Sequence, residues 1–183
     1  YVEQCAAFAK AQIDTGVDAM KISSPFAGGS FISREYYARF VLPFERRVVE
    51  WIHRYAPAVP VYTHTCGFIG DRLDLMAESG IDGLECMDPP PLGNTLLQDA
   101  KEQVGKKLFL KGNMDSVNVL LKATPESLEA YVRDMLACGM PGGGYILSTA
   151  CSVAPGVKPE FLRLLAPLAE KYALAPLAKS FYD

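Results

Sequence analysis

The sequence has little net charge and no long apolar run, and each shortage excludes a class of protein. With 18 basic and 21 acidic residues the formal charge is only −3, so the chain lacks the basic stripe that binds nucleic acid or an anionic membrane. No apolar stretch approaches the roughly 18 to 20 residues of a membrane span. We therefore expect a soluble protein that binds neither nucleic acid nor membrane. Its substrate is expected to be small or carried by another protein.

The sequence also has few histidines, and its cysteines are not spaced as disulfide pairs. Five cysteines are spread along 183 residues, an odd number without the close spacing of a disulfide framework, and the sequence shows no signal peptide. Reduced thiols in a cytoplasm are the expected state. Only two histidines are present, His53 and His64. His64 is therefore one of very few imidazoles available in this sequence.

Short apolar segments alternate with amphipathic helical patterns along the chain. Five strands are predicted, each followed by a helix, at residues 19–23, 59–63, 83–87, 108–111 and 145–148. Such alternation is typical of an α/β protein with a parallel sheet covered by helices. An open doubly wound sheet and part of a TIM (β/α)₈ barrel both fit this count. We favour the barrel, because polar side chains follow every strand, where barrel active sites are built.

The chain opens inside a helical pattern at residues 2–14, without an initiating methionine. We expect residues 1–183 to form a single domain that is the C-terminal part, about five β/α units, of a (β/α)₈ barrel. Five units do not close an eight-stranded barrel, so the first strands are expected outside this chain or from another molecule. Open sheet edges would favour a homo-oligomer. Residues 175–183 are predicted to end a terminal helix and to carry no chemistry.

The segment His64-Thr65-Cys66-Gly67 carries the strongest chemical signal. It follows a predicted strand, so an imidazole and a thiol two residues apart point to the same face at a strand end. A second predicted strand delivers Cys151 to a matching position. One imidazole and two thiolates suit zinc and leave a fourth coordination position open, as catalytic sites do. The alternative is a buried histidine beside inert core thiols.

Other polar residues also follow strands. Glu85 and Asp115 are the candidate catalytic residues, as an acid, a base or a substrate partner, and Asp88 and Asn113 occupy similar positions. Capping of the helix that follows is the alternative role for each of them. Cys86 has the opposite strand parity from Glu85, so at most one of the two is expected to point at the site. Substitution for one of the metal ligands is the alternative role for Cys86, and core packing is the favoured one.

Several segments together resemble the uroporphyrinogen decarboxylase superfamily. They are Gly16-Val17-Asp18-Ala19, Phe26-Ala27-Gly28, Lys111-Gly112-Asn113-Met114-Asp115, Cys151-Ser152-Val153 and Pro159-Glu160. The resemblance spans almost the whole chain. Members of the superfamily fold as (β/α)₈ barrels longer than this chain, so the resemblance implies that the chain is the C-terminal half of such a barrel.

Two branches of the superfamily differ at residues present here. Uroporphyrinogen decarboxylases use no cofactor and carry an aspartate in the first rim loop seen here and a histidine in the last. This chain has Ser24 and Cys151 at those places. The zinc-dependent methyltransferase branch has H-x-C after one strand and a cysteine after the last strand as zinc ligands. His64, Cys66 and Cys151 match these positions one by one.

The resemblance therefore implies a zinc-dependent methyltransferase that activates a small-molecule thiol. The thiol would take a methyl group from a corrinoid (methylcobalamin) protein docked over the barrel mouth, and Glu85 or Asp115 would orient the ligands. The runner-up is a cofactor-free uroporphyrinogen decarboxylase of porphyrin biosynthesis. A third alternative is a barrel whose metal or cysteine cluster serves folding or corrinoid-protein binding alone.

Overall fold

A computed structural model describes residues 1–172, and the terminal segment expected at 175–183 lies outside the described residues. Its centre is a sheet of five strands: β1 (Met20–Ser23), β2 (Val61–Thr65), β3 (Gly83–Cys86), β4 (Phe109–Met114) and β5 (Tyr145–Thr149). All neighbouring strands are parallel, and their order in the sheet is their order in the chain.

This strand order separates the two architectures that the sequence leaves open. A doubly wound sheet reverses its strand order at a switch point. In a barrel, each strand lies beside the strands that precede and follow it in the chain. The consecutive order β1-β2-β3-β4-β5 therefore confirms the prediction of a barrel-type α/β fold.

Helices precede, connect and follow the strands. They are α1 (Val2–Ile13), α2 (Arg34–Tyr36), α3 (Leu42–Tyr55), α4 (Leu73–Glu78), α5 (Leu97–Val104), α6 (Pro125–Gly139) and α7 (Pro159–Tyr172), with a π-helical turn at Tyr37–Val41 and a 3₁₀ turn at Leu120–Lys122. The π-helical turn ends at Val41, two residues before Pro43 in the first turn of α3. Proline has no N–H to donate to the carbonyl four residues back, so the regular hydrogen-bond ladder is interrupted there. Among the described residues, every helix is too short or too polar to cross a membrane.

The two faces of the sheet have different chemistry. Buried apolar side chains on one face form the core with the helices; they include Val61, Leu84 and Leu110. On the other face, the register pairs His64 with Glu85 and Glu85 with Lys111 across β2, β3 and β4. Paired residues in adjacent strands point to the same face. Three chemically capable side chains therefore lie side by side.

The loop after β1 packs against the end of β2. Arg72, only 1% exposed, donates to the carbonyl oxygens of Ala27 at 2.9 Å and Ile32 at 3.1 Å. These hydrogen bonds fix the loop at both sides of Gly28. A Cβ atom at Gly28 would lie 2.3 Å from the carbonyl oxygen of Cys66, which is too close for any side chain. The absence of a side chain at Gly28 thus lets the loop reach the predicted metal-binding segment.

Candidate metal centre

Strand β2 supplies the first two donor atoms of the site. His64 is the fourth residue of β2 and Cys66 follows its last residue. Because residues two apart on a strand share a face, both side chains reach the carboxyl edge of the sheet. The distance from His64 Nε2 to Cys66 Sγ is 3.2 Å. The H-x-C segment therefore presents its imidazole and thiol together, as predicted.

Cys151, two residues beyond β5, completes a triangle of donors. Its Sγ lies 3.6 Å from Cys66 Sγ and 3.7 Å from His64 Nε2. With Zn–S bonds near 2.3 Å and Zn–N bonds near 2.0 to 2.1 Å, two donors of a tetrahedral zinc ion are about 3.5 to 3.8 Å apart. Two edges of the triangle fall in this range, and the third is a few tenths of an ångström shorter. The donor set fits zinc in type and in spacing.

A fourth donor, Cys86, also belongs to this group. One ligand atom from each of His64, Cys66, Cys86 and Cys151 lies within 4.8 Å of every other. The expectation that at most one of Glu85 and Cys86 points at the site is wrong. Cys86 has φ +86° and Met87 φ +53°, so the alternation of the strand ends at Cys86. Positive φ at residues other than glycine costs about 1 to 3 kcal/mol each, and surrounding contacts must hold it.

Strand β4 provides those contacts. The Asn113 side chain donates to the carbonyl oxygens of Met87 at 2.9 Å and Thr95 at 3.0 Å. A Cβ atom at Gly112, whose φ is +146°, would lie 2.7 Å from the Cys86 carbonyl oxygen. Glycine at 112 therefore allows the close approach of β4 to Cys86. Asn113, considered as a substrate partner from the sequence, uses its amide to hold the turn.

Glu85 orients the imidazole. Its Oε2 accepts from His64 Nδ1 at 2.9 Å, while its Oε1 accepts from Lys111 and Lys21 approaches Oε2 to 3.4 Å. Burial alone would raise the pKa of Glu85, but Lys111 and the His64 hydrogen bond outweigh burial and hold that pKa below its usual value. The carboxylate therefore keeps the imidazole proton on Nδ1. The Nε2 lone pair of His64 is left for a cation.

The thiols would exchange protons for a metal ion. Burial, followed by the neighbouring Cys151 thiol, raises the pKa of Cys66 to about 11. Burial, followed by the Asp88 carboxylate, raises the pKa of Cys86 as well. A coordinating thiol loses its proton, because the charge of the cation reverses these effects. Metal binding at this cluster is therefore coupled to proton release.

Asp115, the second predicted catalytic residue, stabilises a turn. Its Oδ1 accepts from the backbone N–H groups of Val117 and Asn118, both at 2.8 Å, and its Oδ2 accepts from the Asn118 side chain at 2.8 Å. The carboxyl group is buried, and Asp115 lies outside the four-donor group. A catalytic role for Asp115 stays a prediction that none of these contacts supports. The other histidine, His53, pairs with Asp82 at 2.9 Å.

Two lysines were missed as site residues by sequence reasoning. Lys21 and Lys111 line a cavity of about 190 Å³ together with His64, Glu85 and Cys151. Both lysines interrupt otherwise apolar strands at positions that share a face with Glu85. A charged residue within an apolar strand was the signal available in the sequence. Their pairing with Glu85 depends on the register of the sheet.

Comparison with known proteins gives relatives of two kinds. The chain is 26% identical over 168 residues to a methylcobamide:CoM methyltransferase of Methanosarcina mazei, a match covering 91% of this chain and 45% of that protein. It is 29% identical over 157 residues to a methylated-thiol–coenzyme M methyltransferase of the same organism, covering 86% and 39%. It is 31% identical over 172 residues to a uroporphyrinogen decarboxylase of Saccharophagus degradans, covering 91% and 46%.

A solved structure shows the same fold. A methyltransferase from Methanosarcina mazei matches with a TM-score of 0.80 at 22% identity, covering 93% of this chain and 47% of that one. The chain thus spans about half the length of these relatives. The family model described as uroporphyrinogen decarboxylase (URO-D) matches residues 1–172. Through this match over nearly its entire length, the chain belongs to the uroporphyrinogen decarboxylase family.

Proposed function

We propose that the protein is a zinc-dependent methyltransferase that transfers a methyl group from a corrinoid (methylcobalamin) protein to a small thiol. The observation that carries this proposal is the meeting of His64 Nε2 and the sulfur atoms of Cys66 and Cys151 within 3.7 Å of one another. Relatives named as methylcobamide and methylated-thiol methyltransferases support the same reaction class. The proposal goes beyond family membership, which includes decarboxylases.

The residues of the chain have distinct tasks in this reaction. His64, Cys66 and Cys151 would hold the zinc ion, which supplies a thiolate nucleophile at neutral pH by lowering the pKa of a bound thiol. Glu85 fixes the imidazole through its 2.9 Å hydrogen bond. The substrate sulfur forms a bond to the methyl carbon as the carbon–cobalt bond breaks. The electron pair of that bond stays on the corrinoid cobalt, and the thiol proton goes to solvent.

The surface beside the site suits a protein donor. The loop after β1 exposes Phe26 (70%) and Phe31 (63%), whose rings meet edge to face at 5.2 Å. Exposed apolar patches of this kind mark interaction surfaces. The same loop contacts Cys66 at Gly28. A corrinoid protein docked on these rings would lie next to the metal-binding segment, while the 190 Å³ cavity accepts the small thiol.

The runner-up function is uroporphyrinogen decarboxylation without a cofactor. Lys21 and Lys111 favour it, because both face the cavity and lysines bind carboxylates. The identity of residue 24 argues against a decarboxylase. The resemblance puts Ser24 where decarboxylases have an aspartate, and the hydroxyl of Ser24 donates to buried Glu45 at 2.6 Å. The polar atom at that position is therefore engaged within the protein.

Metal content with two activity assays separates these functions. We expect about one zinc per chain and methylation of a thiol by methylcobalamin, both lost in His64→Ala and in Cys151→Ala. Cys138→Ser is the matched control, because Cys138 lies in α6 outside the cluster. A protein that binds no zinc and turns over uroporphyrinogen would defeat the methyltransferase proposal. A protein that binds zinc without methyl transfer would favour a structural cluster.

A further inference from the structure

Cys86 has no task in the reaction proposed above. We propose that Cys86 is a fourth protein ligand of the metal, so that the resting site is a closed set of three thiolates and one imidazole. This inference rests on the proposed metal site, but it adds a ligand that the methyltransferase pattern of His64, Cys66 and Cys151 does not include. Four N and S ligands complete the tetrahedral coordination that zinc prefers.

Proximity is the first argument. The Cys86 sulfur lies within 4.8 Å of the ligand atoms of His64, Cys66 and Cys151, at most about 1 Å beyond the donor spacing of a tetrahedral zinc ion. Cys86 is fully buried at 0% exposure, whereas the other three are partly exposed. Cys86 therefore approaches the common point from the protein interior. The other three donors surround the same point nearer to solvent.

A carboxylate holds Cys86 beside Cys66. Asp88 Oδ2 accepts from the Cys86 thiol at 3.2 Å and from the backbone N–H of Gly67 at 2.7 Å. Gly67 directly follows Cys66, so this single oxygen joins the end of β3 to the end of β2. A ligand needs such support from outer partners to keep its orientation. Asp88 positions the protonated Cys86 in this way, and in the thiolate form the bond to the metal would replace that S–H hydrogen bond.

The competing fourth donor is Glu85, and its oxygens are committed elsewhere. Its Oε2 accepts from His64 Nδ1 at 2.9 Å, and Lys111 donates to Oε1. Moving Glu85 onto a metal would break the hydrogen bond that orients the imidazole. Coordination by Cys86 gives up only its own S–H hydrogen bond to Asp88, whose Oδ2 keeps the backbone N–H of Gly67. The contacts therefore favour Cys86 over Glu85.

Core packing does not account for the conformation of Cys86. A packing thiol at this strand position would continue the alternation and point toward the helices. Instead, φ of +86° at Cys86 and +53° at Met87 turn the sulfur to the other donors. Glycine at 112 is required for that backbone, since a Cβ there would lie 2.7 Å from the Cys86 carbonyl oxygen. Two strands thus contribute to aiming one sulfur atom.

A closed resting site changes how substrate reaches the metal. With three ligands, a thiol would enter an open position. With four, the thiol has to compete with a protein thiolate, so the affinity for free thiols is lower and the affinity for the metal is higher. Removal of Cys86 is therefore expected to weaken metal binding and to open a coordination position.

The experiment counts sulfur ligands by spectroscopy. Zinc X-ray absorption on the zinc-loaded wild-type protein is expected to show three sulfurs and one nitrogen. In the cobalt(II)-substituted protein, the sulfur-to-cobalt charge-transfer band is expected to fall by about one third in Cys86→Ser, since one of three thiolates is gone. Cys138→Ser should keep the full band, and Cys66→Ser should lose intensity as Cys86→Ser does.

The outcomes separate this inference from the proposed function. Two sulfurs in the wild-type spectrum, or an unchanged band in Cys86→Ser, would overturn the assignment of Cys86 and leave the three-ligand methyltransferase site standing. A wild-type protein that binds neither zinc nor cobalt defeats both proposals. If Cys86→Ser does not fold, the wild-type absorption spectrum alone decides.

Discussion

Polar side chains at two places on the same sheet edge are used in opposite ways. At the carboxyl ends of β2 and β5, His64 Nε2 and the sulfurs of Cys66 and Cys151 face one another at 3.2 to 3.7 Å. At β4, the side chains of Asn113 and Asp115 are bonded to nearby backbone groups. Both regions have the residue types of an active site.

The difference lies in which groups satisfy the polar atoms. A buried N–H or C=O group must have a partner, and the loops around β4 use Asn113 and Asp115 for that purpose. Donors that face each other bring lone pairs to one point, which is what a cation requires. Position at a strand end is therefore shared by structural and chemical residues. The hydrogen-bond partners tell them apart.

Breaking the donor triangle should have the largest effect. We expect Cys151→Ala to lower zinc affinity by more than about 100-fold, because even outer partners of metal ligands contribute about 10 to 100-fold. Competition with a chromophoric chelator measures this. Cys138→Ser, which removes a thiol outside the cluster, should keep wild-type affinity. Retained affinity in Cys151→Ala would contradict the site.

Weakening the support of the imidazole should have the next largest effect. Glu85→Gln keeps the shape of the side chain but removes the charge that faces His64, Lys111 and Lys21. We expect zinc affinity to fall by about 10 to 100-fold, measured by the same competition. A fall no greater than that of an exposed carboxylate such as Asp134→Asn would show that Glu85 has no part in the site.

A change in the structural region should move stability and leave the metal alone. Asp115→Ala removes the acceptor for the N–H groups of Val117 and Asn118, an arrangement like a helix N-cap. We expect the free energy of unfolding to fall by about 0.5 to 2 kcal/mol, measured in urea. Zinc affinity should stay at the wild-type value. A loss of zinc without a loss of stability would give Asp115 a role in the metal site.

An exposed ion pair, outside the metal-binding cluster and the β4 loop, shows how little a surface charge contributes to stability. Pairing with Arg34 at 2.6 Å lowers the pKa of Asp74 from 3.8 to about 2. Because the pKa of Asp74 is lower in the fold, its ion pair stabilises the protein at pH values above 3.8, the ordinary pKa. That stabilisation is lost as the pH falls through about 2. We expect a small drop in melting temperature for Asp74→Asn at neutral pH, and none once the pH is well below the folded-state pKa of about 2. This effect should be the smallest of the four predicted here, because the Arg34–Asp74 pair is exposed to solvent.

Much of the fold follows from local patterns. The alternation of strands and helices, and the first residues of α6 and α7, are set by short-range periodicity and by proline at the helix start. The grouping of His64, Cys66 and Cys151 followed from strand alternation and the parallel sheet. The strand boundaries differ from the predicted ones by up to three residues. Pro60 has no N–H for the ladder, so β2 begins at Val61; it extends to Thr65 and includes His64.

The rest depended on contacts between distant segments. The turn of Cys86 toward the donors is set by Asn113 and Gly112 from another strand, so strand parity gave the wrong direction. The pairing of Glu85 with two lysines required the register of three strands. The role of Asp115 could not be read from the sequence for a different reason. An aspartate after a strand has the same sequence signature whether it stabilises a turn or reacts.

The close approach of Gly28 to the Cys66 carbonyl oxygen makes the outer loop and the metal-binding segment mechanically dependent. Since even a methyl group would not fit between them, a displacement of one backbone must push the other. Phe26 and Phe31 stand on that same loop. A macromolecule bound to these rings would therefore contact a loop that lies directly against the backbone of a donor residue.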